Sequence, residues 1–116
     1  MAVFLCNSFS LGMLQASPEQ PLTLRVRALT LEEAKSLLQG GYTSAVGHPQ
    51  TALVLSLLLG MEVPSNRIAI TLSPGDRVVV FQIKTRLEEG RVLSEKEVMD
   101  LHEKGLTSFM LVEVVG

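Results

Sequence analysis

A chain of 116 residues is the size of one domain, spanning 1–116, and is long enough to bury a real core. Hydrophobic residues at 47% exclude a disordered polymer, and with no Trp the core must be built from Leu, Val, Ile and Met. A net charge of −2 gives no basic field for long DNA or RNA, and only Phe4, Phe9, Tyr42, Phe81 and Phe109 are available to stack on bases.

Ala2 to Cys6 is almost continuously apolar, the pattern of a strand covered on both faces. It is too short for a signal-peptide core and has no basic flank, and the one cysteine it holds allows no internal disulfide. Asn7-Ser8-Phe9-Ser10 follows, either a polar loop that lines a pocket or an ordinary turn. Leu11, Met13 and Leu14 fit one helical turn, and Ser17-Pro18-Glu19-Gln20-Pro21 is a connector. Leu22, Leu24, Val26 and Ala28 then alternate with Thr23, Arg25, Arg27 and Leu29, a half-exposed strand with its arginines in solvent. Thr30-Leu31-Glu32-Glu33 is a capping box that opens a helix through Gln39, stopped by Gly40-Gly41. Its apolar side is Leu31, Ala34, Leu37 and Leu38.

The stretch Thr43 to Gly60 carries the chain's most apolar helix, from about Pro49 to Leu59. Gly47 turns the backbone, Pro49 suits the first helical position, and His48 falls at or near the N-cap. Free N–H donors and a partial positive charge make that place suitable for a phosphate, although a lone histidine at a helix start is more often a capping or surface residue. Leu53, Val54, Leu57 and Leu58 form one stripe, which Leu55 and Leu59 widen. Such a helix must be covered on most sides, by its own domain or in part by a second subunit. The run Ala52 to Met61 is only about half the length needed to span a bilayer.

Ile68, Ile70 and Leu72 alternate as a strand, Ser73-Pro74-Gly75-Asp76 is a turn, and Val78 to Ile83 is β-branched. The pair is expected to form a hairpin. Gln82 and Lys84 share a face at its end, and Arg86-Leu87-Glu88-Glu89-Gly90 turns the chain. Ser94-Glu95-Lys96-Glu97 is a second capping box, opening a helix to Lys104 in which His102 reads as structural. Ser108 to Val115 is a last strand. The expected fold is one α/β domain with a mixed sheet of about five strands and flanking helices.

The polar residues that stand out lie at the ends of apolar elements: Asn7, Ser10, His48, Thr51, Arg67, Gln82, Arg86 and Glu89. Strand ends and helix starts are where α/β folds place ligands. Arginine gives a fixed fork for phosphate oxygens, Asn and Gln read a base edge or hold a ribose, and His donates a proton near neutral pH. With two histidines, one cysteine and no carboxylate cluster, zinc and two-metal nuclease chemistry are not expected. No Gly-rich loop leads into Lys-Ser or Lys-Thr, which argues against a nucleotide triphosphatase.

The ordered set Asn7-Ser8-Phe9-Ser10 with Met13-Leu14, Ser44-Ala45-Val46-Gly47-His48 with Thr51, Asn66-Arg67, Gln82, and Arg86-Leu87-Glu88-Glu89-Gly90 resembles the viral ring nucleases. These are small type III anti-CRISPR proteins that degrade cyclic tetra-adenylate, with bacterial and phage relatives. The resemblance implies a cytoplasmic homodimer, in a prokaryote or a virus-infected host, holding the cyclic RNA across its two-fold axis without metal or cofactor. It implies that His48 is the general acid, with Arg86, held by Glu89, and Arg67 on phosphate or its developing charge. Asn7, Ser10, Thr51 and Gln82 would position adenosine and ribose. A module that binds the ring without cutting it, or a structural dimerisation domain using Leu55 and Leu59, are the alternatives.

Overall fold

The computed structural model describes residues 2–86 and 92–116. Along the chain run β1 (Val3–Cys6), a 3-10 turn (Leu11–Met13), β2 (Leu24–Leu29), α1 (Leu31–Gln39), β3 (Thr43–Ala45), α2 (Pro49–Leu59), β4 (Arg77–Ile83), α3 (Glu95–Glu103) and β5 (Thr107–Val114). The strands form one sheet in the order β2-β5-β4-β1-β3. β1 lies parallel to both β3 and β4, while β5 is antiparallel to β4 and β2. The sheet is therefore mixed, as the sequence implies.

Alternation along the strands divides the core into two layers. Leu5, Val79, Phe81, Phe109 and Leu111 face the helices and pack with Ala34, Leu38, Val54, Leu55, Leu58 and Val98. The Phe81 and Phe109 rings, paired across β4 and β5, sit 5.1 Å apart. Cys6, Val78, Val80, Val112 and Val114 face the other way, under Ile70, Leu72, Phe9, Met13, Leu14 and Leu22. β1 is covered on both sides, which is why its sequence is apolar without alternation.

Two expectations fail for identifiable reasons. Ile68 to Leu72 is not a strand and forms no hairpin with β4. The Ser73–Asp76 turn does close, with Asp76 N–H donating to the Ser73 carbonyl at 2.9 Å. But β4 has β1 on one side and β5 on the other, so no edge remains for a hairpin partner. Ile70 and Leu72 are instead buried across the sheet face, tied by a single bridge from Leu72 to Leu14. The fifth strand is Thr43–Ala45, whose three residues are too few to display a two-residue period.

The second failure concerns α2. Its buried residues are Thr51, Ala52, Val54, Leu55, Leu58 and Leu59, so the inward face is rotated from the expected stripe. Leu53 is 57% exposed, whereas Leu55 and Leu59 are 0% and 3% exposed inside the single domain and cannot form a dimer contact. A helix apolar all round carries no periodic signal to mark its inner face.

Both capping boxes form as read, Thr30 with Glu33 and Ser94 with Glu97. His102 Nδ1 lies 2.9 Å from Thr107 Oγ1, in keeping with a structural role. Gly60 ends α2 in the left-handed conformation at φ 65°, where a side chain would be strained. Among the described residues no helix is long and apolar enough to cross a membrane.

Candidate functional site

The strand order creates a crevice. From β1 the chain passes through β2 and α1 to β3, on one side of β1, and then through α2 to β4 on its other side. The loops leaving β1 and β3 therefore diverge above the carboxyl ends of parallel strands, where open α/β sheets bind ligands. Cys6 is level with both Ala45 and Val80, so Asn7 and the Val46-Gly47-His48 segment emerge side by side.

His48 is the N-cap of α2, with φ −110° and ψ 118°. Its carbonyl accepts the first helical bond, from Ala52 N–H at 3.0 Å, but its side chain makes no capping hydrogen bond. The exposed imidazole borders two adjoining clefts. One, of about 350 Å³, is lined by Asn7, Ser8, Gly47, His48 and Arg67. The other, of about 270 Å³, is lined by Asn7, His48, Gln50, Thr51, Ile83 and Thr85.

The three helices treat their N-termini differently. α1 and α3 fill theirs with a capping box and carry Glu32, Glu33, Glu95 and Glu97 in their first turns. The first turn of α2 has no acidic residue and no side-chain cap. Among the described residues, that first turn brings no carboxylate to the positive end beside Arg67, and the arrangement favours an anion.

Gly47 earns its place differently from the expected turn. It is not among the glycines with positive φ. A Cβ at this position would approach Arg67 Cγ to 3.2 Å, so the missing side chain lets the arginine stem lie against the His48 loop. Asn7 Oδ1 accepts from Gly47 N–H at 3.4 Å, a weak contact that joins the ends of β1 and β3.

Of the residues read from sequence, Asn7, His48, Thr51 and Arg67 come together. Ser10 caps the 3-10 turn, its Oγ accepting from Gly12 N–H at 3.1 Å. Gln82 lies on the sheet face away from the helices and accepts from Ser108 Oγ at 3.4 Å. Arg86 is exposed beyond β4 and lines neither cleft. Glu89 lies outside the described residues. Ser8, in the loop read as a possible pocket lining, does line a cleft, while Gln50 and Thr85 line one without having been singled out, each a near neighbour of a residue that was.

Cys6 is no competing nucleophile. Burial pushes its thiol up to about 11, keeping it protonated at neutral pH. Among the described residues, no three His, Cys, Asp or Glu side chains are grouped as a metal site.

Residues 3–106 match the family described as STIV B116-like. The chain belongs to this family. B116 of Sulfolobus turreted icosahedral virus superposes with a TM-score of 0.87 at 34% identity, covering 97% of this chain and 99% of that one. Protein 26 of Sulfolobus islandicus filamentous virus is 40% identical over 97% of this chain and 92% of its own length. YddF of Bacillus subtilis is 29% identical over 76% of this chain and 81% of its own. The STIV B116-like match contains every candidate site residue from Asn7 to Glu89.

Proposed function

We propose that the His48 crevice is the active site of a metal-independent ring nuclease acting on cyclic tetra-adenylate. The observation that carries this reading is the pairing of an uncapped, exposed His48 with Arg67 at an acid-free helix start above the carboxyl ends of β1 and β3. A ribose 2′-OH loses its proton to water as its oxygen bonds to its own 3′ phosphorus, the bond from phosphorus to the 5′ oxygen breaks, and a 2′,3′-cyclic phosphate remains. His48 supplies the proton to the departing 5′ oxygen, and Arg67 holds the phosphate. Asn7 and Thr51 line the space in which ribose and base are held. In this reading Arg86 meets the developing charge, with Glu89 as its partner, the roles that the resemblance implies. Two subunits share one ring, each contributing one His48.

The test is incubation with cyclic tri-, tetra- and hexa-adenylate in chelator, with the products resolved. Cleavage of the tetra-adenylate ring to dinucleotides ending in a cyclic phosphate is expected. His48→Ala should lose roughly 10²–10⁴-fold in rate, the usual scale for a general acid, while binding survives. Activity abolished by chelator would remove the metal-free mechanism. Tight binding by the wild type without any product would instead identify a sequestering or sensing module, and full activity in His48→Ala would sink the assignment of the acid.

A further inference from the structure

We infer that Asn66 is a positioning residue that fixes Arg67 relative to His48, an inference that rests on the nuclease reading of the site. β3 is the outermost strand and pairs on one side only, with β1. Its other side would expose the backbone that leads directly into the His48 loop. The chain leaving α2 returns along that side and closes it through specific bonds. Ser44 Oγ donates to the Pro64 carbonyl at 2.7 Å. Asn66 Nδ2 donates to the Ser44 carbonyl at 2.8 Å, and Asn66 N–H donates to the Val46 carbonyl, also at 2.8 Å. One asparagine thus satisfies two successive outward carbonyls of the β3 segment, doing with a single residue what a neighbouring strand would do with several.

The position of this clasp gives it consequence. One peptide bond beyond Asn66 is Arg67, and one beyond Val46 is Gly47, against which the arginine stem packs. His48 follows. Asn66 therefore closes a short loop of contacts, from its own backbone through Val46, Gly47 and Arg67 and back. Ser44 is only 5% exposed, so its carbonyl would lack ready access to water if the amide were removed. The clasp is stiff because both bonds are short and end on backbone carbonyls, one within β3 and one on the residue that follows it.

Asn66 lines neither cleft and touches no reacting atom. It acts by setting a distance, and a shift of about 1 Å between a phosphate-holding arginine and a proton donor can cost about 10²-fold in rate. Affinity should change less, because Arg67 keeps its charge and its access to the ring.

The experiment measures kcat and KM for cyclic tetra-adenylate with wild type, Asn66→Ala, Asn66→Asp, Arg67→Ala and the Asn66→Ala/Arg67→Ala double variant, each checked by thermal unfolding. Asn66→Ala should lower kcat roughly 10- to 100-fold with KM within about threefold. Asn66→Asp preserves volume but turns a donor into an acceptor facing the Ser44 carbonyl, so it should lose at least as much, and it carries the test if the alanine variant does not fold. In the double variant there is no arginine left to place, so its kcat should match that of Arg67→Ala rather than the product of the two effects. Wild-type kcat in both Asn66 variants, or multiplying effects in the double variant, would overturn the inference while leaving the nuclease reading intact. No cleavage by the wild type would overturn both.

Discussion

At the scale of single residues, the tripeptide Gly47-His48-Pro49 shows what a sequence displays and what it conceals. Proline after histidine marks a helix start from local geometry alone, and His48 does stand at the N-cap of α2. The purpose of Gly47 was hidden, because the atom that excludes a side chain belongs to Arg67, twenty residues away in the chain. Ordinary backbone geometry at Gly47 makes a clean prediction possible. Gly47→Ala should fold, with stability changed by no more than about 1 kcal/mol, since alanine can adopt a negative φ. Its Cβ would press on Arg67 Cγ at 3.2 Å and move the guanidinium by a few tenths of an ångström. Turnover should then fall about tenfold, a modest misplacement on the scale of orientation effects. Thermal unfolding and ring cleavage, measured on the same preparation, separate the two. Unchanged turnover would show that Gly47 does not set the arginine's place.

At the scale of elements, legibility follows the range of the interactions that define each one. The capping boxes were readable because both partners lie within four residues, and both form. The β4 pairing was not readable, because its partners lie about seventy residues before it in β1 and thirty after it in β5. The inward face of α2 was concealed by its own uniformity. The different helix starts also predict different energetics. Thr30→Ala and Ser94→Ala remove side-chain acceptors and should each cost about 1 kcal/mol in denaturant unfolding. His48→Ala removes no capping bond and should leave stability unchanged even where it removes activity. In α1 the Thr30 backbone N–H, followed by Arg27, holds Glu33 below the ordinary carboxylate range. A lowered native pKa means that this support is complete above the ordinary value and is lost as pH falls through the lowered one. The cost of Glu33→Ala, measured again in acid, should therefore shrink. A cost equal at both pH values would show that the Glu33 charge takes no part in the cap.

At the scale of the whole molecule, the proposed activity raises the question of how one crevice would meet a ring with four equivalent phosphates. Each chain supplies a single His48, at the carboxyl end of β3, the outermost strand on that side of the sheet. A two-fold axis is contained within a four-fold one, so a symmetric dimer can present identical histidines to opposite phosphates and release two identical dinucleotides. The same chain acting alone would cut one bond and have to rebind a linear tetranucleotide. Leu55 and Leu59 are spent on the domain's own core, so any second subunit must meet other surface, such as that around Leu53. Calorimetric titration of His48→Ala with cyclic tetra-adenylate distinguishes the two arrangements, because this variant should bind without consuming the ligand. Sharing of the ring predicts one ligand per two chains, and light scattering should give twice the 12.6 kDa chain mass for the complex. One ligand per chain, with the mass of a single subunit plus ring, would show that each crevice works by itself and would remove the two-fold account of the products.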